Sequence, residues 1–411
     1  MVVTEDEPET LQLMDEVGID SSRLLELGRH GTNLFLGGHY VNLSRVDGRI
    51  GSIRDGLDLL RMARASWGLA ESRFPALSPR LYFAYRKAVN VIRQESAEIS
   101  YPYKPAHRSY WDRMTFAEFL DEFHPKLRHI VDVQLKVTAG ETSDRISLFW
   151  GLVTFRWNVE GRFFFVKGGA SILPRALAQK LDGRLTLDAD VHTVVEGDPL
   201  RIEYACQGTR ASTYARHVLL AVPASRVSKL VCGLPRETED ALQRVAYASY
   251  IPVHLRFRRR FWQSELSSGF LNCAGLVFAD VVDGTKGQSG KTGILNCFIA
   301  GPEARRLIAA TDNEILCEVL EDLDRVWPGS PADLLDHRVF RWSEGISYFP
   351  PNYADPLDRL RRPIGNIRLC GDYTQGAGMN DAVLSGTVAA AQLLERIRSH
   401  HSDPSAAGSI Q

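Results

Sequence analysis

Near its end the chain carries a run of small and polar residues whose types and spacing could hold an anionic ligand. It reads Asn366-Ile-Arg-Leu-Cys-Gly-Asp-Tyr-Thr-Gln-Gly-Ala-Gly-Met-Asn-Asp-Ala-Val-Leu-Ser-Gly, followed by Thr387-Val-Ala-Ala-Ala. The apolar stretch 367–370 predicts a buried strand that stops at Gly371. Ligands of α/β sheets lie beyond the carboxyl ends of strands, where Asp372 falls. Gly376 and Gly378 let the backbone come close to such a ligand. Asn380 has the residue type of an N-cap, with a helix expected over 381–398. Small residues along that helix (Ala382, Ser385, Gly386, Ala389, Ala390) allow tight packing on a sheet. A helix start offers free N–H groups and roughly half a positive charge. The same spacing also suits a plain strand–turn–helix with a surface Asp372, and spacing alone leaves both readings open.

Other reactive side chains are sparse. His254 precedes Phe257 on an alternating segment and could face a cavity, although a lone histidine is more often a core residue. Glu344 is a second candidate of the same standing, and no general base is assigned. Cys206, Cys232, Cys273, Cys297, Cys317 and Cys370 are scattered, with no CxxC or Cys/His cluster. This excludes a zinc site of the usual spacing and reads as free thiols in a reducing compartment. His400 and His401 sit in a Ser/Ala/His-rich tail, 399–411, expected to be disordered. No metal is expected.

The elements that must position these residues follow from pattern. Leu11, Met14 and Val17 share one face of a helix over 8–17, ended by Gly18. Gly37-Gly38 between 33–36 and 40–43 signals a hairpin. The stretch 52–138 is helical and polar-rich, and Thr115 with Glu118 forms a capping box for a helix over 116–123. Strands are expected at 163–166, 185–187, 191–194, 201–204, 218–221, 252–257 and 367–370. Helices follow at 172–181 and 315–326. A β/α region, a different middle and a second β/α region fit a cofactor domain interrupted by a substrate domain.

The bulk numbers agree. The 411 residues exceed the roughly 250–300 that one core sustains. Hydrophobic residues make up 44% and charged residues 24%, and 49 Lys plus Arg against 50 Asp plus Glu leave a net charge of -1. That balance argues against a nucleic-acid coat protein. The acidic segment 1–10 has no signal-peptide core. No apolar run approaches the roughly 20 residues of a membrane span. A cytoplasmic protein is expected, with room for peripheral membrane contact.

The segment 366–386 also resembles the C-terminal flavin-binding motif of the FAD-dependent amine oxidase, protoporphyrinogen oxidase and phytoene desaturase superfamily. There a strand, an AGD or AGE turn and GMEGAV.SG..AA follow one another. The counterparts here are Cys370-Gly371-Asp372 and Gly378-Met379-Asn380-Asp381-Ala382-Val383-Leu384-Ser385-Gly386. The resemblance implies that Asp372 contacts the ribityl–pyrophosphate part of FAD. It places the Met379 amide at the flavin pyrimidine edge, where reduction leaves negative charge. Further blocks come in the superfamily's order. Phe165-Val-Lys-Gly-Gly-Ala-Ser-Ile-Leu-Pro-Arg-Ala-Leu is similar to its GG...L...LA segment. Val191 falls where a valine backbone pairs with adenine. Val218-Leu-Leu-Ala-Val-Pro and Phe257-Arg-Arg-Arg-Phe-Trp262 resemble a cofactor strand and a substrate-domain strand. Arg341-Trp342 with Tyr348-Phe349-Pro350-Pro351 resembles the segment entering the flavin site. The likeness spans about 8–398 and is weakest over 52–138.

Departures carry information too. No GxGxxG follows a strand, so the resemblance starts past the first βαβ unit, ~30 residues or more. A partner chain could supply that unit, the start could be truncated, or independent FAD binding could be lost. Two aromatics that flank the flavin in amine oxidases fall at Ser347 and Gly378, and the lysine near flavin N5 falls at Pro252. Ile346 stands where some members tether FAD through cysteine, so FAD should be noncovalent.

The fold expected is α/β, or α+β in two lobes. An FAD-binding Rossmann-like domain, incomplete at its N-terminus, covers 160–232 and 356–398. A mixed-sheet substrate domain covers 1–159 and 233–355, with a helical part over 52–138. The activity implied is FAD-dependent hydride transfer on an apolar small-molecule substrate, as in desaturases and flavin-dependent isomerases. Amine or amino-acid oxidation, with Arg256 or Arg258 holding a carboxylate, is one alternative. A noncatalytic, partner-dependent subunit of a split flavoprotein is another.

Overall fold

The computed structural model describes residues 2–29, 33–36, 38–42, 79–99, 109–266 and 268–401. The chain divides into two compact units: Met1–Asp6, Asp20–Ala170 and Tyr247–Asn352 make the first, and Glu7–Ile19, Ser171–Ala246 and Tyr353–Gln411 the second. Three assignments differ from the sequence expectation, among them the helix Arg236–Gln243, expected in the substrate lobe and found in the second unit. The strand expected to open the cofactor lobe belongs to the first unit. Arg162–Val166 runs between Val2–Thr4 and Leu24–Arg29, antiparallel to both. In the other direction, the helix Pro8–Glu16, expected in the substrate lobe, lies in the second unit.

An eight-stranded mixed sheet organises the first unit. In spatial order its strands are Leu334–Val339, Ala246–Phe257, Gly293–Ala300, Asp280–Asp283, Phe270–Cys273, Asn33–Leu36 and His39–Asn42, with Trp342–Tyr348 also pairing on Ala246–Phe257. Alternation along Ala246–Phe257 decides its faces. Ile251, Val253, Leu255 and Phe257 are buried on one side with Leu295, Cys297 and Ile299. Against them pack Ile315, Val319 and Leu323, a stripe at i, i+4, i+8 on the helix Asp312–Val326. Tyr250, Pro252, His254 and Arg256 point to the opposite side. The hairpin expected at Gly37-Gly38 is present, with Leu36 paired to His39 and Gly38 at φ 83°.

The helical part includes Pro79–Ala97, Phe116–Asp121, Leu127–Ala139 and Leu148–Glu160. Residues 52–78 and 100–108 of the region expected to be helical lie outside the described residues. The Thr115 capping box forms in full. The Thr115 hydroxyl accepts from the Glu118 amide at 3.2 Å, and the Glu118 carboxylate accepts from the Thr115 amide at 2.7 Å.

One acid in these helices sets a pH dependence. Burial pushes Asp132 up to about 6, against the pull of the Ser143 N–H, which donates to it at 2.8 Å, and of Lys136. In the unfolded chain the carboxyl titrates near its ordinary 3.8. Between those values the folded protein holds a proton that the unfolded chain releases. The stability from this group is complete below the ordinary pKa and is lost as pH rises through about 6. Asn at 132 keeps an acceptor for Ser143 and carries no charge. Asp132→Asn is expected to raise stability at pH 7 by about 1–3 kcal/mol and to flatten the melting temperature across the acidic range. A variant that melts lower at neutral pH with an unchanged pH slope would contradict this.

The second unit contains an antiparallel meander, Ala189–Val195, Leu200–Cys206 and Thr209–Ala215, and a parallel pair, Val218–Leu220 with Ile367–Leu369. The stretch 185–187, expected as a strand, is irregular, and Leu185 and Leu187 are 48% and 70% exposed. Left-handed residues bracket it, Gly183 at φ 71° and Asp188 at φ 56°, so no extended run can continue through it. The terminal helix runs Met379–His401, which takes 399–401 out of the tail expected to be disordered. The rest of that tail lies outside the described residues. Among the described residues no helix is long and apolar enough to cross a membrane. No group of three or more His, Cys, Asp or Glu among them could hold a metal ion.

Candidate functional site

The site is built where the strand Ile367–Leu369 hands over to the helix Met379–His401. Ile367, Leu369 and Cys370 are buried, and the Cys370 amide donates to Leu220 O at 2.9 Å. Burial raises the Cys370 thiol pKa, so this thiol stays protonated and serves as core.

At Gly371 the chain turns with φ 154°. Its amide donates to Ser385 Oγ at 2.9 Å, and that hydroxyl donates on to Ala382 O at 2.7 Å. A single turn, Asp372–Thr374, follows. The Thr374 hydroxyl donates back to Gly371 O at 2.8 Å, and the Gly376 amide donates to Asp372 O at 2.9 Å.

The carbonyls of this loop are tied from behind. Arg361 donates to Thr374 O at 2.7 Å and to Gln375 O at 3.4 Å. Burial lowers the Arg361 pKa, while the Asp358 and Asp381 carboxylates favour its charge. The Tyr353 hydroxyl donates to Tyr373 O at 3.1 Å.

With its carbonyls turned inward, the loop presents amides at the helix start. Among the described residues the Gly378 and Met379 N–H groups make no hydrogen bond. They open a helix of 23 residues, whose start carries partial positive charge. Gly378 has φ 132°, and among the described residues, its chain neighbours aside, a Cβ built on it would meet nothing within 4 Å. Open amides, positive potential and a bare backbone facing free space fit an electron-rich edge of a planar ligand. These residues therefore suit the pyrimidine edge of a flavin.

Asn380 does something other than the sequence suggested. It is the second residue of the helix, not its N-cap. Its side chain caps a different helix: Asn380 Oδ1 accepts from the Thr10 amide at 3.0 Å, and its Nδ2 donates to Glu9 at 3.2 Å. Pro8–Glu16 has no side-chain cap of its own, so Asn380 satisfies one of its free amides across 370 residues of sequence. Asp381, where the superfamily pattern has glycine, is 2% exposed. Its carboxylate lies against Gly376, leaving no room for a Cβ there.

Gly371, Asp372, Gly378, Met379 and Asn380 are thus one structural neighbourhood. Asp372 is half-buried and accepts from the Tyr373 amide at 2.9 Å. Val191 lies in the same unit, on Ala189–Val195 beside a register shift, 36% exposed. Trp342, 55% exposed, opens the strand Trp342–Tyr348 of the first unit. His254 and Glu344 are also in the first unit, half-buried and exposed respectively. Sequence reasoning missed Arg361 and gave Ser385 only a packing role. The Ser385 signal lay in its spacing, 14 residues after Gly371; Arg361 left no local signal.

A family model described as "Flavin containing amine oxidoreductase" matches residues 1–394. The chain belongs to this family. Among curated relatives, coproporphyrinogen III oxidase of Mycobacterium tuberculosis is 28% identical over 191 residues, 44% of this chain and 40% of that protein. L-amino-acid oxidase of Mus musculus is 27% identical over 252 residues, 56% of this chain and 39% of that protein. Each match thus spans less than half of the relative's own length. Among solved structures, wild-type putrescine oxidase bound to putrescine superposes with a TM-score of 0.73 at 18% identity, covering 96% of this chain and 87% of that one. This likeness establishes the flavin amine oxidase fold for the chain.

Proposed function

We propose that this chain binds FAD noncovalently and works in the cytoplasm as an oxidoreductase on an apolar organic substrate. The observation that carries the reading is the bare, positively polarised start of Met379–His401 at Gly378, in a chain that the flavin family model matches almost throughout. Bound there, FAD would supply two-electron redox chemistry. The protein's part is electrostatic and positional. The Gly378 and Met379 amides stabilise negative charge on the pyrimidine edge. Asp372 would hold the ribityl–pyrophosphate side, and the Val191 backbone would meet the adenine. Ser385 and Arg361 keep the loop in shape, and Trp342 belongs to a segment that resembles the one entering the flavin site in the superfamily. Ile346, in place of a tethering cysteine, supports noncovalent binding. Small residues at Ser347 and Gly378, where amine oxidases carry aromatics, favour a bulky apolar substrate over a simple amine.

A second reading, an FAD site completed by a partner chain, is favoured by one observation. Among the described residues the parallel sheet at the site has two strands, fewer than parallel sheets normally bury.

The deciding experiment titrates the purified chain with FAD, removes free cofactor and records the visible spectrum. Retained flavin bands, bleached when a reduced apolar substrate is added without oxygen, are the expected result. A chain that holds no FAD overturns the first reading for the isolated protein and favours the second. Bleaching by amines with release of peroxide would move the activity to amine oxidation.

A further inference from the structure

The start of Met379–His401 carries a side chain whose charge opposes the polarity of the helix end. Asp381 is the third residue of this helix and is 2% exposed. It lies in the first turn, two residues beyond the Met379 amide, where the free N–H groups of a helix start favour a carboxylate. The side chain is packed inward: its carboxylate fills the space that a Cβ on Gly376 would need. Water therefore screens it poorly, and its field reaches the amides beside it. An acid that served only the helix end would need no burial, since first-turn acids act from the surface.

The carboxylate has a counter-charge behind the loop. Arg361 closes the helix Ala354–Leu360 as its C-cap, and its side chain is mostly buried. Its donors are fixed on Thr374 O and Gln375 O, which holds the guanidinium in place. Asp358, 4.0 Å from Arg361, is half-exposed and so the weaker influence per unit of charge. Glu9, which accepts from Asn380 at 3.2 Å, and Asp372 are half-buried.

Two opposite effects thus meet at the Gly378 and Met379 amides. The helix end and Arg361 favour negative charge there, and Asp381 disfavours it. FAD gains negative charge on its pyrimidine edge when it is reduced. A fixed carboxylate nearby penalises the reduced form more than the oxidised form.

We infer that Asp381 is a tuning residue that makes FAD bound at this helix start harder to reduce, and that Arg361 limits the effect by carrying the opposite charge. This role rests on the flavin oxidoreductase reading, and it concerns the potential of the cofactor rather than its retention.

The test uses the full chain and compares its affinities for oxidised FAD and for dithionite-reduced FAD without oxygen. Asp381→Asn keeps the shape and removes the charge. It is expected to strengthen binding of reduced over oxidised FAD about tenfold, which is about 30 mV upward in midpoint potential for a two-electron couple. Arg361→Gln removes the opposite charge and should move the ratio about as far the other way. Both substitutions break the same charge pair, so both should lower the melting temperature. A role in structure alone would move the ratio in one direction or not at all; the charges require opposite signs. The double variant should return the ratio close to that of the parent. If Asp381→Asn does not fold, the double variant compared with Arg361→Gln reads the same charge removal in a second background. Shifts of the same sign, or no shift on removing Asp381 from a chain that retains FAD, overturn the tuning role and leave the flavin reading standing. A parent chain that binds neither form of FAD overturns both.

Discussion

Replacing Gly378 by alanine is expected to weaken FAD binding about tenfold while leaving most of the protein's stability in place. The glycine adopts φ 132°, and among the described residues, its chain neighbours aside, a Cβ there would meet no atom within 4 Å. The folded protein therefore pays only for a backbone conformation that L-residues rarely adopt, about 1–3 kcal/mol. The methyl group enters the space beside the open Gly378 and Met379 amides. A ligand packed on that bare backbone would be overpacked by about 1–3 kcal/mol, which is about ten- to a hundredfold in Kd. Gly386 is the control. It lies inside Met379–His401, and its Cβ also has open space. Gly386→Ala should gain up to about 1 kcal/mol of helix propensity and retain FAD as the parent does. Cofactor titration and thermal melts of the two variants read both effects. If Gly378→Ala binds FAD like the parent, the new methyl points to open space beside the flavin, as the aromatic that amine oxidases carry there would, and not into it.

Gly371→Ala is expected to damage fold and cofactor binding together. Its φ of 154° disfavours any side chain, and its Cβ would lie 2.5 and 2.8 Å from two atoms of the Tyr373 ring. Tyr373 is 1% exposed and cannot swing outward. Strain and overpacking together amount to about 3–5 kcal/mol. The loss falls on the turn whose ties to Ser385 and Thr374 set the loop, so FAD retention should fall with stability. A double-mutant cycle separates the causes. Tyr373→Ala opens room for the new methyl, so the pair should be less destabilised than the sum of the singles by about 1–2 kcal/mol. Strict additivity would show that the ring is not what the methyl meets, and an unchanged melting temperature for Gly371→Ala would refute the geometry of the turn.

Features whose causes lie within a few residues were legible in the sequence. The Thr115–Glu118 capping box, the Gly37-Gly38 hairpin, the alternation on the central strand and the strand–turn–helix around Gly371–Met379 are fixed by local hydrogen bonding, turn chemistry and side-chain period. The resemblance to flavin enzymes was carried by that last segment, because a backbone that approaches a cofactor closely tolerates few residue types. The tertiary structure alone decided which distant elements share a unit. The strand Arg162–Val166 reads as an isolated apolar run until Val2–Thr4 and Leu24–Arg29 pair with its two edges. The helix Pro8–Glu16 joins the cofactor unit because Asn380 supplies the cap that it lacks locally. A cap-type residue advertises a free acceptor without saying which helix will use it. Sequence determined the local conformations and the ligand-compatible turn. Packing over long separations, where no single residue's preference dominates, decided the partners.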